Sequence, residues 1–226
     1  MSTTNGAERA ESTEPADSPN HVELIDRWIE LLLAVMLGVV TLATAWSGYQ
    51  AARWGGTQSI LFSQAGARRT ESTRASTLGG QQAQIDIGMF SNWINAYADE
   101  NEALTAFYEK RFRGEFQPAF DAWLEADPAN NPDAPETPFE MPEYQPAKFE
   151  EATQLELDAE ELFEEGRAAN QQSDDYILNA VILASVLFLS GIVTRFDWLP
   201  VRVVIIIAAL VLLGVGLYNI VVYPVA

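Results

Sequence analysis

Three long apolar runs constrain this chain more than any other feature of its sequence. They cover residues 28–46, 176–194 and 201–223. At a rise of 1.5 Å per residue, helices of these lengths extend about 28 to 34 Å, which matches the hydrocarbon core of a bilayer. The sequence therefore predicts an all-α membrane protein with three transmembrane helices.

The ends of these runs carry the residues expected at a membrane surface. Trp28 and Trp46, with Tyr49 just beyond, lie where an interfacial aromatic belt would hold the first span. The segment 194–202, TRFDWLPVR, joins the ends of the second and third spans, and Pro200 prevents one helix from continuing through it. We therefore expect the second and third spans to be antiparallel neighbours joined by a tight turn.

The net charge of −19 is concentrated between the first and second spans. Residues 47–175 contain 24 Asp and Glu against 9 Lys and Arg. Such a surface repels phosphate backbones, so we expect no nucleic-acid partner. The expected partners are the lipid bilayer and further copies of this chain.

Residue types that commonly carry chemistry are scarce. The chain has no cysteine, and its one histidine is His21. A single histidine cannot supply the common zinc sites or a Ser/His/Asp triad. Glu161 and Glu164 have the one-turn spacing of carboxylate metal ligands but lack the Glu-x-x-His pattern, so we interpret them as a solvated acidic face. We predict no catalytic, cofactor or metal site and no enzyme activity; a hydrolase that uses carboxylates alone is the weakest alternative.

Residues 47–175 are predicted to form an acidic helical hairpin or small bundle outside the membrane. Apolar residues recur there in steps of three and four, the period of a helix. They are Phe90, Trp93, Ile94, Tyr97, Leu104, Phe107, Tyr108 and Phe112, then Phe116, Phe120, Trp123 and Leu124, then Phe149, Ala152, Leu155, Ala159 and Leu162. Between the last two groups lies a loop, 127–147, whose six prolines forbid regular structure. We expect this loop to add little to a core.

The predicted hairpin has arms of unequal length. A continuous helix over residues 47–113 would be about 100 Å long, while the returning helix over residues 148–175 covers about 42 Å. The pair Gly79-Gly80 is the place where the longer arm would break, because glycine weakens a helix. Either the chain bends there, or neighbouring subunits cover the excess.

Small residues dominate the segment that follows the first span. Of the 34 residues 47–80, 20 are Gly, Ala, Ser or Thr. A series with an 11-residue period can be followed through Gly48, Ala52, Gly55, Ser59, Ser63, Gly66 and Thr70, and short small-xxx-small pairs occur at Ala34–Gly38 and Ala180–Ala184. Two interpretations stay open: close packing against copies of itself, as in a coiled coil, or a loosely ordered solvated helix.

Orientation is predicted from the arginines near the spans. Arg27, Arg195 and Arg202 share one side in a three-span protein. By the positive-inside rule, the N-terminus and the turn 195–200 are cytoplasmic, and residues 47–175 are extracytoplasmic, in a multi-pass protein of the cell membrane. The polar tail, residues 1–27, is predicted to be disordered.

The layout also resembles a bacterial membrane-protein family. The residues that carry the resemblance are Ala45-Trp46 and Tyr49-Gln50-Ala51-Ala52-Arg53 after the first span, and Tyr176 at the start of the second. Members have one N-terminal span, a long polar helix, a variable helical region and a C-terminal pair of spans. No activity is assigned to that family, so the resemblance implies topology and leaves function open.

The spans contain few polar residues. Glu30, Asn179 and Asn219 lie near span ends, and only Thr41 and Ser185 lie at mid-depth. Pumps and coupled transporters place ionisable groups in mid-membrane, so this pattern disfavours them. We expect a non-enzymatic, homo-oligomeric protein with a structural, sensory or scaffolding role. The alternative is a passive oligomeric channel lined by the first span and the helix 47–80.

Overall fold

The computed structural model describes residues 21–196 and 198–226, with side chains from residue 27 onward. Every regular element in this part of the chain is helical, which confirms the predicted all-α fold. The elements are α1 (His21–Ala98), α2 (Glu102–Glu109), α3 (Gln117–Glu125), α4 (Ala147–Ile192) and α5 (Leu199–Val222), with short 3-10 helices at Pro138–Glu140 and Val193–Arg195.

The chain divides into two compact units. The membrane unit contains the residues up to Tyr49 together with Tyr176–Val225, and the polar unit contains Gln50–Asp175. Three helices, α1, α4 and α5, are long and apolar enough to cross a membrane. The predicted tail, residues 1–27, extends too far along the chain, because α1 begins at His21. The rest of that tail, residues 1–20, lies outside the described residues.

The three helices of the membrane unit share one apolar core. The buried residues of α1 in this core are spaced by three and four, as a helix packed on one face requires. The core consists of Leu33, Met36, Val40 and Ala43 from α1, Leu183, Val186 and Val193 from α4 and the turn after it, and Ile206 and Ala209 from α5. Gly216 lets α5 approach α4 closely, since a Cβ atom there would lie 2.5 Å from Leu183 Cδ2. The predicted pair Ala34–Gly38 makes no such contact, and both of its residues are exposed.

In the polar unit α1 and α4 pair as antiparallel helices. Ser173 Oγ donates a hydrogen bond to the carbonyl of Ala51 over 3.0 Å, and Ser72 Oγ donates to the carbonyl of Ala152 over 2.9 Å. Between these two bonds, each helix advances by 21 residues. The two helices therefore keep one register over about six turns. Small residues at both contacts allow the backbones to come this close.

The glycine pair does not break α1, which continues to Ala98. At Gly79 the first turn of α4 instead packs closely against α1. A Cβ atom at this position would lie 3.0 Å from the ring of Phe149. The helix ends later than the glycines and earlier than Arg113. Asn101 then starts α2 by accepting a hydrogen bond from the amide of Leu104 over 3.1 Å. Of the alternatives left open, a break at Gly79-Gly80 does not occur, and a single helix from 47 to 113 does not form either, because α1 ends at Ala98.

The part of α1 beyond Gly79 is covered by the same chain. Its Phe90 and Trp93 pack against α3 and the residue before it in an aromatic cluster, which we call the cap. The cap core consists of Phe90, Trp93, Phe116, Phe120 and Trp123, flanked by Tyr108, Phe112, Phe139, Met141 and Tyr144. Neighbouring subunits are therefore not needed to bury this end of α1.

The proline-rich segment is part of the cap, contrary to expectation. Pro138 is fully buried, and Phe139 stacks on Phe116 with ring centroids 5.1 Å apart. The indole of Trp123 donates a hydrogen bond to the carbonyl of Pro135 over 2.9 Å. Prolines remove backbone donors but leave side chains free to pack, so an irregular segment can still contribute to a core.

Two glycines allow a direct test of the helix pairing in the polar unit. A Cβ atom at Gly166 would lie 2.5 Å from the ring of Phe62, which stacks on Phe163 and cannot easily move. We expect Gly166→Ala to lower the free energy of unfolding by about 1 to 3 kcal/mol through overpacking. The measurement is denaturant unfolding of the purified protein, followed by circular dichroism.

The control for this substitution is Gly88→Ala. Gly88 lies within α1, and a Cβ atom there has no neighbour within 4 Å. Alanine should therefore raise the free energy of unfolding by up to about 1 kcal/mol, through helix propensity alone. Equal effects of the two substitutions would show that α1 and α4 do not pack closely at Gly166.

Candidate functional site

Among the residues described, no group of three His, Asp or Glu is placed to hold a metal ion. Glu161 and Glu164, the pair with metal-ligand spacing, are both exposed, and Glu164 binds Arg167 over 2.9 Å. Arg69, one of the few basic residues, pairs with Glu156 and Glu160 across the helical hairpin, at 3.8 and 3.4 Å. These exposed pairs each contribute little to stability, about 0 to 1 kcal/mol.

Asn179 is the centre of a buried polar network in the membrane unit. Its Nδ2 donates to Ser47 Oγ over 3.0 Å and to the carbonyl of Gly216 over 3.1 Å. Its Oδ1 accepts from Asn219 Nδ2 over 3.0 Å. Both donors and the acceptor of Asn179 are therefore used, and they connect α1, α4 and α5.

The geometry of this network indicates that it holds the three helices in fixed positions. Asn179 and Ser47 are fully buried, so an unmade bond there would be costly. Tyr176, one turn away on α4, is also buried and donates to the carbonyls of Tyr223 and Pro224 over 3.4 and 3.3 Å. The sequence revealed the asparagines only as polar residues near span ends. Their convergence depends on the packing of three helices.

The polar unit has a second buried network, centred on Asp86. Asp86 is only 1% exposed, and its Oδ2 accepts from Arg113 Nη1 over 2.8 Å and from the hydroxyl of Tyr144 over 3.2 Å. Arg113 also pairs with Glu115. The network joins α1 to the segment before α3 and to the end of the proline-rich segment. Helical periodicity could not predict this network, because Arg113 and Tyr144 lie 27 and 58 residues from Asp86 along the chain.

Burial dominates the electrostatics of this network. Burial raises the pKa of Asp86, and the attraction of Arg113 opposes this only in part. Burial and then the negative charge of Asp86 raise the pKa of Tyr144 to about 12, so its hydroxyl remains a donor at neutral pH. Each group has its partner within the chain, so the arrangement joins the cap to α1.

One face of α1 is left uncovered, and small residues form it almost throughout. We call it the small-residue face. In the membrane unit it consists of Ala34, Gly38, Thr41, Ala45 and Gly48, and in the polar unit of Ala52, Gly55, Ser59, Ser63, Gly66, Thr70, Thr73 and Thr77; all are exposed except Gly55, which is half-buried. These positions alternate with the buried ones of α1 in steps of three and four. The face therefore points away from the helices of its own unit.

Five of the six hydroxyl groups on this face, all but that of Ser63, are turned back onto the helix. Ser59 and Thr70 each donate to the carbonyl four residues earlier, over 3.0 and 2.9 Å, and Thr73 and Thr77 do the same over 2.9 and 2.8 Å. Thr41 repeats this bond in the membrane unit over 2.7 Å. Apart from the hydroxyl of Ser63, the face therefore presents small apolar groups and backbone outward. Gly48 and Gly66 have no neighbour within 4 Å of a Cβ position.

Comparisons with known proteins add no relative. No protein-family model, no curated protein and no solved structure matches this chain. The resemblance to a bacterial membrane-protein family thus stays a prediction from layout. What the fold defines is a multi-pass α-helical membrane protein with a mainly helical polar unit.

The Asp86 network gives a test of how the cap is held. Asp86→Ala leaves Arg113 and the hydroxyl of Tyr144 without their shared acceptor, and we expect it to lower the free energy of unfolding by about 1 to 3 kcal/mol. Glu125→Ala removes the same charge from an exposed position of α3 and should change it by less than about 0.5 kcal/mol. A parent-like Asp86→Ala variant would show that the burial cost of the carboxylate cancels its bonds.

Proposed function

We propose that this protein is a non-enzymatic, homo-oligomeric membrane protein with a structural or scaffolding role, or a sensory one. The observation that supports this most is the small-residue face of α1. A helix in a bilayer gains little from the hydrophobic effect on meeting another helix, so association depends on close backbone approach. Ala34, Gly38, Ala45 and Gly48 provide for such an approach in the membrane unit.

The same logic applies to the polar unit. Residues 52–77 of the small-residue face have almost no side-chain conformational entropy to lose when another helix packs on them. Four of their five hydroxyls, all but that of Ser63, already have acceptors, so dehydration leaves few polar groups unsatisfied. One face of α1 is used within the chain, and the opposite face suits a second copy.

The alternative, a passive oligomeric channel lined by the first span and the helix 47–80, has less support. A pore through the bilayer needs polar groups or exposed backbone along its wall. In the membrane unit the face carries alanine, glycine and Thr41, whose hydroxyl is bound to the carbonyl of Leu37. Closed packing around α1 therefore fits these residues better than an open axis does.

The proposed location is the cell membrane, with the N-terminus and the turn 195–200 in the cytoplasm and residues 47–175 outside. The support is the distribution of arginines. Arg27, Arg195 and Arg202 flank the spans on one side, and the C-terminal residues 223–226 carry no Lys or Arg.

Bulky substitutions on the small-residue face test self-association. We expect Gly48→Leu and Gly66→Leu to shift the native mass of the detergent-purified protein toward the monomer, because each places a large side chain on the contact. Gly214→Leu, at an exposed position of α5 where a Cβ atom has no neighbour within 4 Å, is the matched control and should keep the parent mass. A monomeric parent protein would refute the proposal. Ion flux through vesicles that contain the parent protein, lost in Gly48→Leu, would favour the channel.

Sidedness can be measured with single cysteines, because the chain has none of its own. Ala129→Cys and Trp198→Cys place thiols at two exposed positions. An impermeant maleimide should label the first in intact cells and the second only after permeabilisation. The reverse pattern would invert the orientation, and labelling of both from outside would rule out a three-span topology.

A further inference from the structure

The cap contains a cleft that neither the predicted packing nor self-association accounts for. It lies between the end of α1 and the end of α3 and has a volume of 440 Å³. Its lining is Trp93, Ile94, Tyr97, Trp123, Leu124, Asp127, Pro128, Ala129 and Glu136. We call it the Tyr97 cleft. Its size falls within the range of pockets that hold a ligand or a few side chains of a partner.

The floor of the Tyr97 cleft is apolar and rigid. Trp93 and Trp123 are almost fully buried, and their indole groups donate to Glu109 Oε1 and to the carbonyl of Pro135, both over 2.9 Å. Tyr97 stacks on Trp93 with ring centroids 5.2 Å apart. These contacts fix the walls before anything binds, so little ordering is needed on association.

Large apolar groups nevertheless stay in contact with solvent there. Tyr97 is 62% exposed, Leu124 is 42% exposed and Ile94 is 40% exposed. These residues belong to the polar unit, where contact with lipid tails gives no account of their exposure. Three such side chains around one cleft form a patch of the kind that marks interaction sites.

The rim of the cleft is acidic and has no basic residue to neutralise it. Asp127 and Glu136 line it, and no Lys or Arg does. The carboxylate of Asp127 accepts only from the neutral amide of Asn130, over 3.0 and 3.1 Å. Glu136 is exposed and makes no hydrogen bond or ion pair with the residues described. Both charges are therefore available to an incoming cation.

We infer that the Tyr97 cleft is a docking site for a basic segment of a partner protein, one in which an arginine stands beside a large apolar side chain. The apolar side chain covers Ile94, Tyr97 and Leu124. The guanidinium group lies at the rim between Asp127 and Glu136 and can stack on the exposed ring of Tyr97. Acidic segments are repelled by the rim charges, and neutral segments bind less tightly because they lack the charge contacts.

The test uses a fluorescein-labelled peptide of alternating leucine and arginine, and the same peptide with glutamate in place of arginine. Binding to the full chain in neutral detergent is followed by fluorescence anisotropy at low ionic strength. We expect the arginine peptide to bind and the glutamate peptide not to bind. Failure of the arginine peptide to bind, or equal binding of both, overturns the inference.

Paired variants separate the cleft from the general acidity of the protein. The double variant Asp127→Asn, Glu136→Gln should weaken binding about tenfold, a loss that two exposed charge contacts can supply. The double variant Glu161→Gln, Glu165→Gln makes the same change in net charge on exposed positions of α4 and should weaken it less than about twofold. Equal weakening by the two would assign binding to net charge and overturn the site.

The apolar part of the site has its own variant. Leu124→Ser removes an exposed apolar group, so the cap core should remain intact, which circular dichroism checks. We expect it to weaken binding of the arginine peptide about fivefold, through the lost apolar area. Unchanged binding would show that only charge is recognised, and the inference would fail.

Discussion

The structure depends on the packing of one 78-residue helix, α1, because most of the stability of a helix in a protein comes from tertiary packing along its length. In the membrane unit it packs on α4 and α5 through an apolar core. In the polar unit it packs first on α4 as far as Gly79 and then on the cap. Within each unit the buried residues of α1 follow one another mostly in steps of three and four. The opposite side is left to small residues.

Local sequence patterns were enough to predict the spans, the helical hairpin and the antiparallel return of α4. They failed where a distant residue decides the local structure. Gly79 looked like a helix breaker, but the ring of Phe149 fills the space that its missing side chain leaves. The end of α1, in contrast, could have been predicted from the sequence. Asn101 followed by Glu102 is a helix-start signal, but the apolar residues on both sides of it keep helical spacing and obscured the break.

The two buried polar networks could not be predicted from local sequence patterns either. Asn179 and Asp86 each meet partners from two other elements, so neither constellation follows from spacing along the chain. The proline-rich segment was misjudged for a related reason. Six prolines do predict an irregular backbone, but they say nothing about Phe139 and Tyr144, whose side chains pack into the cap.

The distribution of satisfied and unsatisfied groups indicates where a function can reside. Asn179 and Asp86 are buried and hydrogen-bonded, so they stabilise the fold and offer nothing to a ligand. At the surface, in contrast, two regions leave groups available for a partner. The small-residue face has all but one of its hydroxyls bonded and its backbone uncovered, which suits a dry helix contact. The Tyr97 cleft instead combines exposed apolar groups with unneutralised carboxylates, which suits a cationic segment. Because the two surfaces differ in chemistry, we propose a different kind of partner for each, a second copy for the face and another protein for the cleft.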